Sequence, residues 1–206
     1  MANIELIAGA GDEKVAGWLH QRLTDALERA AGPIALCLPG GSTPGPILRH
    51  LASAPLDWRR ITVWPGDDRL VPPGHPASNA GQLRALLEPV GAEVVTLSIM
   101  EEVPHFALTW LGMGGDGHIA SLFPSADPDP ADPEPIRQLT PDPLPPEAPF
   151  DRITMTIPAL LNADEMMFVI RGEEKRAIFE TAARGEGDLP VARLLRAASQ
   201  PVTCFA

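Results

Sequence analysis

One histidine of the chain is placed for proton transfer. His118 follows Asp116 in the run Leu111-Gly112-Met113-Gly114-Gly115-Asp116-Gly117-His118-Ile119-Ala120-Ser121-Leu122-Phe123-Pro124. Glycines at 112, 114, 115 and 117 after an apolar strand predict a tight backbone arch, with Asp116 and His118 at its exit, where a helix could begin. An acid beside a histidine fixes its tautomer or stabilises its protonated form, which is what general acid–base catalysis requires. The other histidines, His20, His50, His75 and His105, stand in contexts that need no special role. The spacing G-x-G-G-x-G is not a dinucleotide fingerprint, and no βαβ unit with a suitably placed ribose acid follows it.

Three further segments carry candidate ligands. Between a strand and a helix lies Leu38-Pro39-Gly40-Gly41-Ser42-Thr43-Pro44, whose glycines let backbone N–H groups approach a ligand while the helix N-terminus favours an anion. The residues Gly40, Gly41, Ser42 and Thr43 are therefore a candidate phosphate cradle. The same letters also suit an ordinary turn with Ser42 or Thr43 as N-cap and Pro44 at the first helical position. Next, Gly66-Asp67-Asp68-Arg69-Leu70-Val71-Pro72 follows a strand ending at Trp64, and Ser78-Asn79 opens a helix soon after. Ligands of open α/β sheets sit beyond the carboxyl ends of strands. Two acids beside an arginine can hold a sugar hydroxyl and aim Arg69 at a phosphate or a carbonyl oxygen; a solvated charged loop reads the same. Finally, Arg152 opens a strand, and Lys175 of Gly172-Glu173-Glu174-Lys175 falls in the first turn of a helix. The helix dipole disfavours a cation there unless an anion is near, although exposed lysines in first turns are common.

The elements that must hold these segments follow from apolar spacing. Val15, Trp18, Leu19, Leu23, Ala26 and Leu27 predict a helix over 12–31, and 33–38 is a short apolar strand ended by glycine. Further helices are expected at 44–51, 79–87, 158–163, 173–184 and 190–198. Strands are expected at 61–64, 94–97, 106–111, 153–157, 166–170 and 202–205. Strands alternating with helices imply an α/β fold around a largely parallel sheet. Residues 98–105 are too few for a helical crossover, which takes about a dozen, so a helix is missing there. Proline and acid crowd 124–149, as in Asp127-Pro128-Asp129-Pro130 and Pro143-Leu144-Pro145-Pro146, which predicts an extended surface loop inserted in a single domain spanning 1–206.

Composition sets the outer limits. A chain of 206 residues, 45% hydrophobic, has room for one domain with a substantial core. Its net charge of −11 argues against a general nucleic-acid or membrane-surface binder, since both partners are anionic, so any anionic ligand must meet a local basic pocket. The first residues contain early acids and no apolar core of signal-peptide length, and the longest apolar runs are too short to span a bilayer; a cytoplasmic protein is expected. Cys37 and Cys204 have neither metal spacing nor a disulfide pattern and read as small buried residues.

In this order, the four segments resemble the 6-phosphogluconolactonase family, whose members carry a GGSTP loop, a DER-x-VP segment followed by SN, a G-x-G-x-DGH-x-ASLFP loop, RITLT and G-x-x-K. The resemblance runs from Leu36 to about Lys175. The related glucosamine 6-phosphate deaminase continues after DGHIA with FNEP, whereas this chain reads Ser121-Leu122-Phe123-Pro124. The resemblance implies a Rossmann-like α/β sheet without a nucleotide, shared with that deaminase and with ribose-5-phosphate isomerase. It further implies hydrolysis of a phosphorylated sugar lactone with no cofactor and no metal, by a monomer or small homo-oligomer. His118 is then the base with Asp116 beside it, Asp67 and Arg69 stand in the catalytic segment, and Arg69, Arg152 and Lys175 are basic positions beside the Gly40–Thr43 loop. Asp68 replaces the usual glutamate, Ala107 stands where many relatives carry aspartate, and the helix before Phe106 and the tail after the last strand are shorter than in the family. Two other readings stay open. An amino-sugar phosphate deaminase or isomerase would use Asp67 as its base, and a non-catalytic sugar-phosphate-binding regulator would need no base.

Overall fold

A computed structural model describes residues 3–72, 74–146 and 148–206. Its strands, in chain order, are β1 (Ile4–Ile7), β2 (Ile34–Leu38), β3 (Ile61–Pro65), β4 (Asp67–Arg69), β5 (Glu93–Val94), β6 (Phe106–Leu111), β7 (Ile136–Leu139), β8 (Arg152–Met155), β9 (Met166–Val169) and β10 (Val202–Phe205). Its helices are α1 (Asp12–Arg29), α2 (Pro44–Ala52), α3 (Asn79–Leu87), α4 (Ile157–Leu161), α5 (Glu173–Ala183) and α6 (Pro190–Ala197). Seven strands build a parallel sheet in the order β1-β10-β9-β6-β2-β3-β5, and β4, β8 and β7 form a small antiparallel sheet beside it.

Alternation within the strands divides the apolar side chains between two cores. Leu36, Leu38, Val63, Leu108, Trp110, Met167 and Val169 pack with Leu19, Leu23, Ile47, Leu51 and Leu83 of α1, α2 and α3. On the opposite face Cys37, Trp64, Leu111, Met166, Phe168 and Cys204 meet Leu160, Phe179, Val191 and Leu194 of α4, α5 and α6. Burying each such side chain contributes roughly 1.5–3 kcal/mol, so packing on the sheet, more than helix propensity, fixes where the helices lie. In α1 the acids Asp12 and Glu13 open the helix and Arg29 closes it, as the dipole favours. Among the described residues no helix is long and apolar enough to cross a membrane.

The strand order places a ligand crevice. From β2 the chain proceeds outward through β3 and β5, then returns to β6 on the other side of β2 and proceeds through β9 and β10. The order thus reverses between β2 and β6, and the crevice outside the carboxyl ends of strands at such a point is where open α/β sheets bind ligands. The Gly40–Thr43 loop leaves β2 there, and the glycine arch before His118 leaves β6.

Several expectations need correction. β1 was not anticipated; it pairs with β10 at the far end of the chain. The strand expected at 153–157 is β8, which belongs to the small antiparallel sheet and ends before Ile157 opens α4. The stretch 124–149 is not simply an extended loop, because it contributes β7, paired with β8 along Ile136–Leu139. Local ties order it: Arg137 contacts Asp132 through Nε and a terminal nitrogen, and Thr156 Oγ1 donates to the Glu134 carbonyl at 2.8 Å. β5 covers only Glu93–Val94, since Arg84 donates to the Val94 carbonyl as the chain leaves the sheet. No helix begins after His118, because Gly117 and Ala120 have φ of +79° and +48°, outside the helical region.

Residues 98–105 contain no helix, as expected, and a histidine clasp holds their end. His105 Nδ1 lies 2.9 Å from Asn162 Oδ1 and Nε2 lies 2.8 Å from Asp164 Oδ1. Asn162 Nδ2 donates to the Pro104 carbonyl, which turns Oδ1 toward the ring. Two acceptors require two ring N–H groups, so the clasp selects the imidazolium, and the Asp164 and Asn162 bonds raise the His105 pKa above 6.5. A raised folded-state value means that the contribution to stability is complete below pH 6.5 and is lost as pH rises through the folded pKa. The Tm gap between the wild type and His105→Ala should therefore narrow on going from pH 5.5 to pH 8, values set about one unit or more to either side of the ordinary histidine range. A gap that widens with pH would remove the imidazolium from the clasp.

Candidate active site

His118 sits where the arch after β6 folds back on itself. The Gly114 N–H donates to the His118 carbonyl at 2.9 Å, and the Gly117 N–H donates to the Gly114 carbonyl at 3.1 Å. Gly114 is required here because a Cβ would lie 2.2 Å from the His118 ring and 2.6 Å from Asp116 Oδ1. Gly117 has a left-handed φ, and its carbonyl accepts from the Val191 N–H, so the start of α6 buttresses the arch from behind. The His118 ring lies 4.7 Å from the Phe123 ring, centroid to centroid, which fills the space on one of its sides.

The pairing with Asp116 decides the state of the ring. His118 Nδ1 lies 2.6 Å from Asp116 Oδ1, and the same oxygen accepts from the His118 backbone N–H at 3.1 Å. Burial raises the Asp116 carboxyl, but the His118 amide and ring charge outweigh it and hold the carboxyl below its ordinary value. It is an acceptor at neutral pH, so in the neutral form of the ring Nδ1 carries the hydrogen and the lone pair is on Nε2.

A hydrogen-bonded chain runs from this arch to Asn79, which packs against the β2 loop. Three residues beyond His118, buried Ser121 donates from Oγ to Asp67 Oδ2 at 2.5 Å, and its N–H donates to Thr154 Oγ1 on β8 at 3.2 Å. Asn79 Nδ2 donates to the Asp67 carbonyl at 2.9 Å and to Asp67 Oδ1 at 3.2 Å. The Asn79 side chain lies under Gly40, where a Cβ would come within 2.1 Å of it. Burial raises the Asp67 carboxyl, with the Ser121 hydroxyl and Arg69 pulling the other way. Neither Ser121 nor Asn79 was singled out as a ligand of Asp67 from the sequence, since the contacts span 54 and 12 positions.

The two acids expected to act together have different jobs. Asp68 is buried and accepts from the backbone N–H groups of Arg69, Asn79 and Ala80 and from Ser78 Oγ. It holds the start of α3, whose N-cap Ser78 accepts from the Gly81 N–H at 3.0 Å, and it has no geometry left for a sugar hydroxyl.

The basic positions do not converge on one point. Gly40, Ser42, Thr43 and Lys175 line a cavity of about 120 Å³ with Gly112, and Arg171, which the sequence reading passed over, stands on the same wall. The Gly41 N–H is committed to Gln82 Oε1 at 3.1 Å, and Gly41 is not among the lining residues. Its φ of +101° makes the turn instead. Thr43 is the N-cap residue of α2 with Pro44 at the first helical position, as an ordinary turn has it, but its side chain makes no cap bond. Arg69 and Arg152 are cross-strand neighbours in the small sheet, away from that cavity. Arg152 is buried and donates to the carbonyls of Phe150 and Ala148, and its burial and the nearby Arg69 lower its pKa. Arg69 donates to the Ala77 carbonyl at 2.8 Å, while its buried Nε has no partner among the described residues. Asp116 and His118 line a separate, largely apolar hollow with Phe123, Asp142 and Pro143, so part of the proline-rich segment walls the histidine. Among the described residues no three His, Cys, Asp or Glu side chains group as metal ligands.

Comparison with known proteins supplies the family. The sequence model described as Glucosamine-6-phosphate isomerases/6-phosphogluconolactonase matches residues 10–98 and 91–203. A 6-phosphogluconolactonase of Neisseria meningitidis is 31% identical over 96% of this chain and 94% of its own length. One from Pseudomonas aeruginosa is 35% identical over 89% and 84%. The crystal structure of 6-phosphogluconolactonase from Thermotoga maritima has a TM-score of 0.82, covering 100% of this chain and 99% of that one; at 24% identity it speaks to the fold.

Proposed function

Since the chain belongs to the family of glucosamine-6-phosphate isomerases and 6-phosphogluconolactonases, we propose that it hydrolyses 6-phospho-D-glucono-1,5-lactone to 6-phosphogluconate in the oxidative pentose phosphate pathway. The observation that carries the mechanism is the 2.6 Å contact between His118 Nδ1 and Asp116, which leaves Nε2 as the base. Nε2 takes a proton from water and the resulting hydroxide adds to the lactone C1. Charge develops on the carbonyl oxygen, and in this reading the cationic Arg69 guanidinium stabilises it. As the tetrahedral species collapses, the bond from C1 to the ring oxygen breaks, and protonated His118 returns the proton to that oxygen. The products are the acid and a free hydroxyl, with water consumed and the histidine restored. Because a lactone is already an activated ester, this sequence calls for neither metal nor cofactor.

In this reading the cavity of Ser42, Thr43 and Lys175 holds the phosphate, and Asp67, fixed by Ser121 and Asn79, meets a sugar hydroxyl. Arg152 adds a second positive charge beside Arg69 from the neighbouring strand, and Gly40 and Gly41 shape the loop. The unit is one lactonase domain over 1–206, working in the cytoplasm, where sugar phosphates are made and kept, as a monomer or small homo-oligomer. The test follows freshly generated lactone at neutral pH, with and without protein and with a chelator present, after subtracting spontaneous hydrolysis. Acceleration that survives the chelator is expected; no acceleration would overturn the lactonase reading, and acceleration abolished by the chelator would overturn the metal-free mechanism.

A further inference from the structure

Arg171 stands at the carboxyl end of β9, immediately before Gly172, whose φ of +95° turns the chain into α5. It lines the same cavity as Ser42, Thr43 and Lys175. Its guanidinium donates through one terminal nitrogen to Asp12 Oδ1 at 3.1 Å, across 159 positions of sequence. Asp12 lies in the first turn of α1, where the helix dipole holds a carboxylate in place.

A phosphate monoester carries a charge of about −1.5 to −2 at neutral pH and three acceptor oxygens. Lys175 supplies a single positive charge on a compact ammonium. A guanidinium offers five N–H donors in a planar fork that matches two phosphate oxygens at once, and the Asp12 contact uses only one side of that fork. Because the ion pair already holds the guanidinium at the rim, less side-chain freedom is lost when an anion arrives than for an unanchored arginine. The net charge of −11 adds a reason for a second cation: the surrounding field repels a dianion, and the cavity must overcome that locally.

We infer that Arg171 is a second phosphate ligand, which acts with Lys175 to select a dianionic phosphate over a neutral or singly charged group. The inference rests on the phosphate-binding reading of this cavity. Its test measures binding of inorganic phosphate and of 6-phosphogluconate to the wild type, Arg171→Ala and Arg171→Lys by calorimetry, alongside KM and kcat for the lactone. Arg171→Ala should weaken both ligands on the order of 10- to 100-fold, with the loss in turnover efficiency falling on KM, as for a charge-assisted bond made equally in ground and transition states. Arg171→Lys should recover part of the binding by restoring charge without the fork. Since the side chain is exposed, the variants should keep the wild-type Tm. If the wild type binds neither anion, the phosphate reading of the cavity falls and this assignment with it. If the wild type binds them and Arg171→Ala binds equally well, the assignment alone is overturned.

Discussion

His118→Ala should lose lactone turnover by about 10²–10⁴-fold, the range that a positioned general base contributes, while still binding 6-phosphogluconate. The separation of the two effects follows from where the groups lie. The imidazole belongs to the hollow walled by Phe123 and Asp142, whereas the phosphate contacts assigned to Ser42, Thr43 and Lys175 line a different cavity. Removing the ring also leaves Asp116 without its Nδ1 partner, but that carboxylate is half exposed, at 51%, and water can replace the lost donor. The variant should therefore fold normally, and the loss should appear in kcat. Single-turnover decay of the lactone with excess protein measures it, and turnover at the wild-type level would exclude His118 as the base.

Much of the frame that positions His118 is legible in the sequence because it depends on local patterns. Strands buried on both faces announce themselves as short apolar runs, as at Ile34–Leu38, Phe106–Leu111 and Met166–Val169. Helix α1 declares itself by the spacing of Val15, Leu19, Leu23 and Leu27, all buried. What escapes is what distant partners supply. β1 reads Ile4-Glu5-Leu6-Ile7, with no residue of the strand fully buried, and is a strand because β10 pairs with it from the other end of the chain. β7 lies among prolines and acids and owes its form to β8. The small sheet they join carries Asp67, Arg69 and Arg152, so sequence order alone could not say that Arg69 faces Arg152 and not Lys175.

The site was legible in the same uneven way. The glycine arch, Asp116 and His118 are close in sequence, and the geometry of the pair follows from two residues of separation. Asp67 and Asp68 are equally acidic and adjacent, yet one is tied to Ser121 and the other to the start of α3; only the fold distinguishes them. Arg171 carried a signal that spacing did not rank, a second base four positions before Lys175 at the end of an apolar strand. Because the helix dipole disfavours cations at this end of α5, the pair of cations around Gly172 marks the cavity more firmly than either does alone.

Gly114→Ala should approach His118→Ala in effect, although it removes nothing that touches substrate. Its backbone does not have the positive φ of Gly117, so alanine is not strained by conformation; the cost arises from the added carbon, 2.2 Å from Cε1 and Nδ1 of His118 and 2.6 Å from Asp116 Oδ1. The ring cannot simply slide away, because Phe123 lies 4.7 Å off in centroid distance and the His118 backbone is bonded to the arch. It must rotate, which breaks the Nδ1 contact that sets the tautomer and moves Nε2 off its line to the lactone. A displacement of about 1 Å in a reacting group costs on the order of 10²-fold in rate, so a loss of that size in kcat is expected. The decisive comparison is the double variant. If Gly114 acts only by leaving room for the imidazole, then in the His118→Ala background Gly114→Ala meets only the end of the Asp116 side chain, released from its ring partner, and should cost little further, a strong departure from additivity. A further drop in the double variant would mean that Gly114 shapes the arch for some purpose other than the histidine.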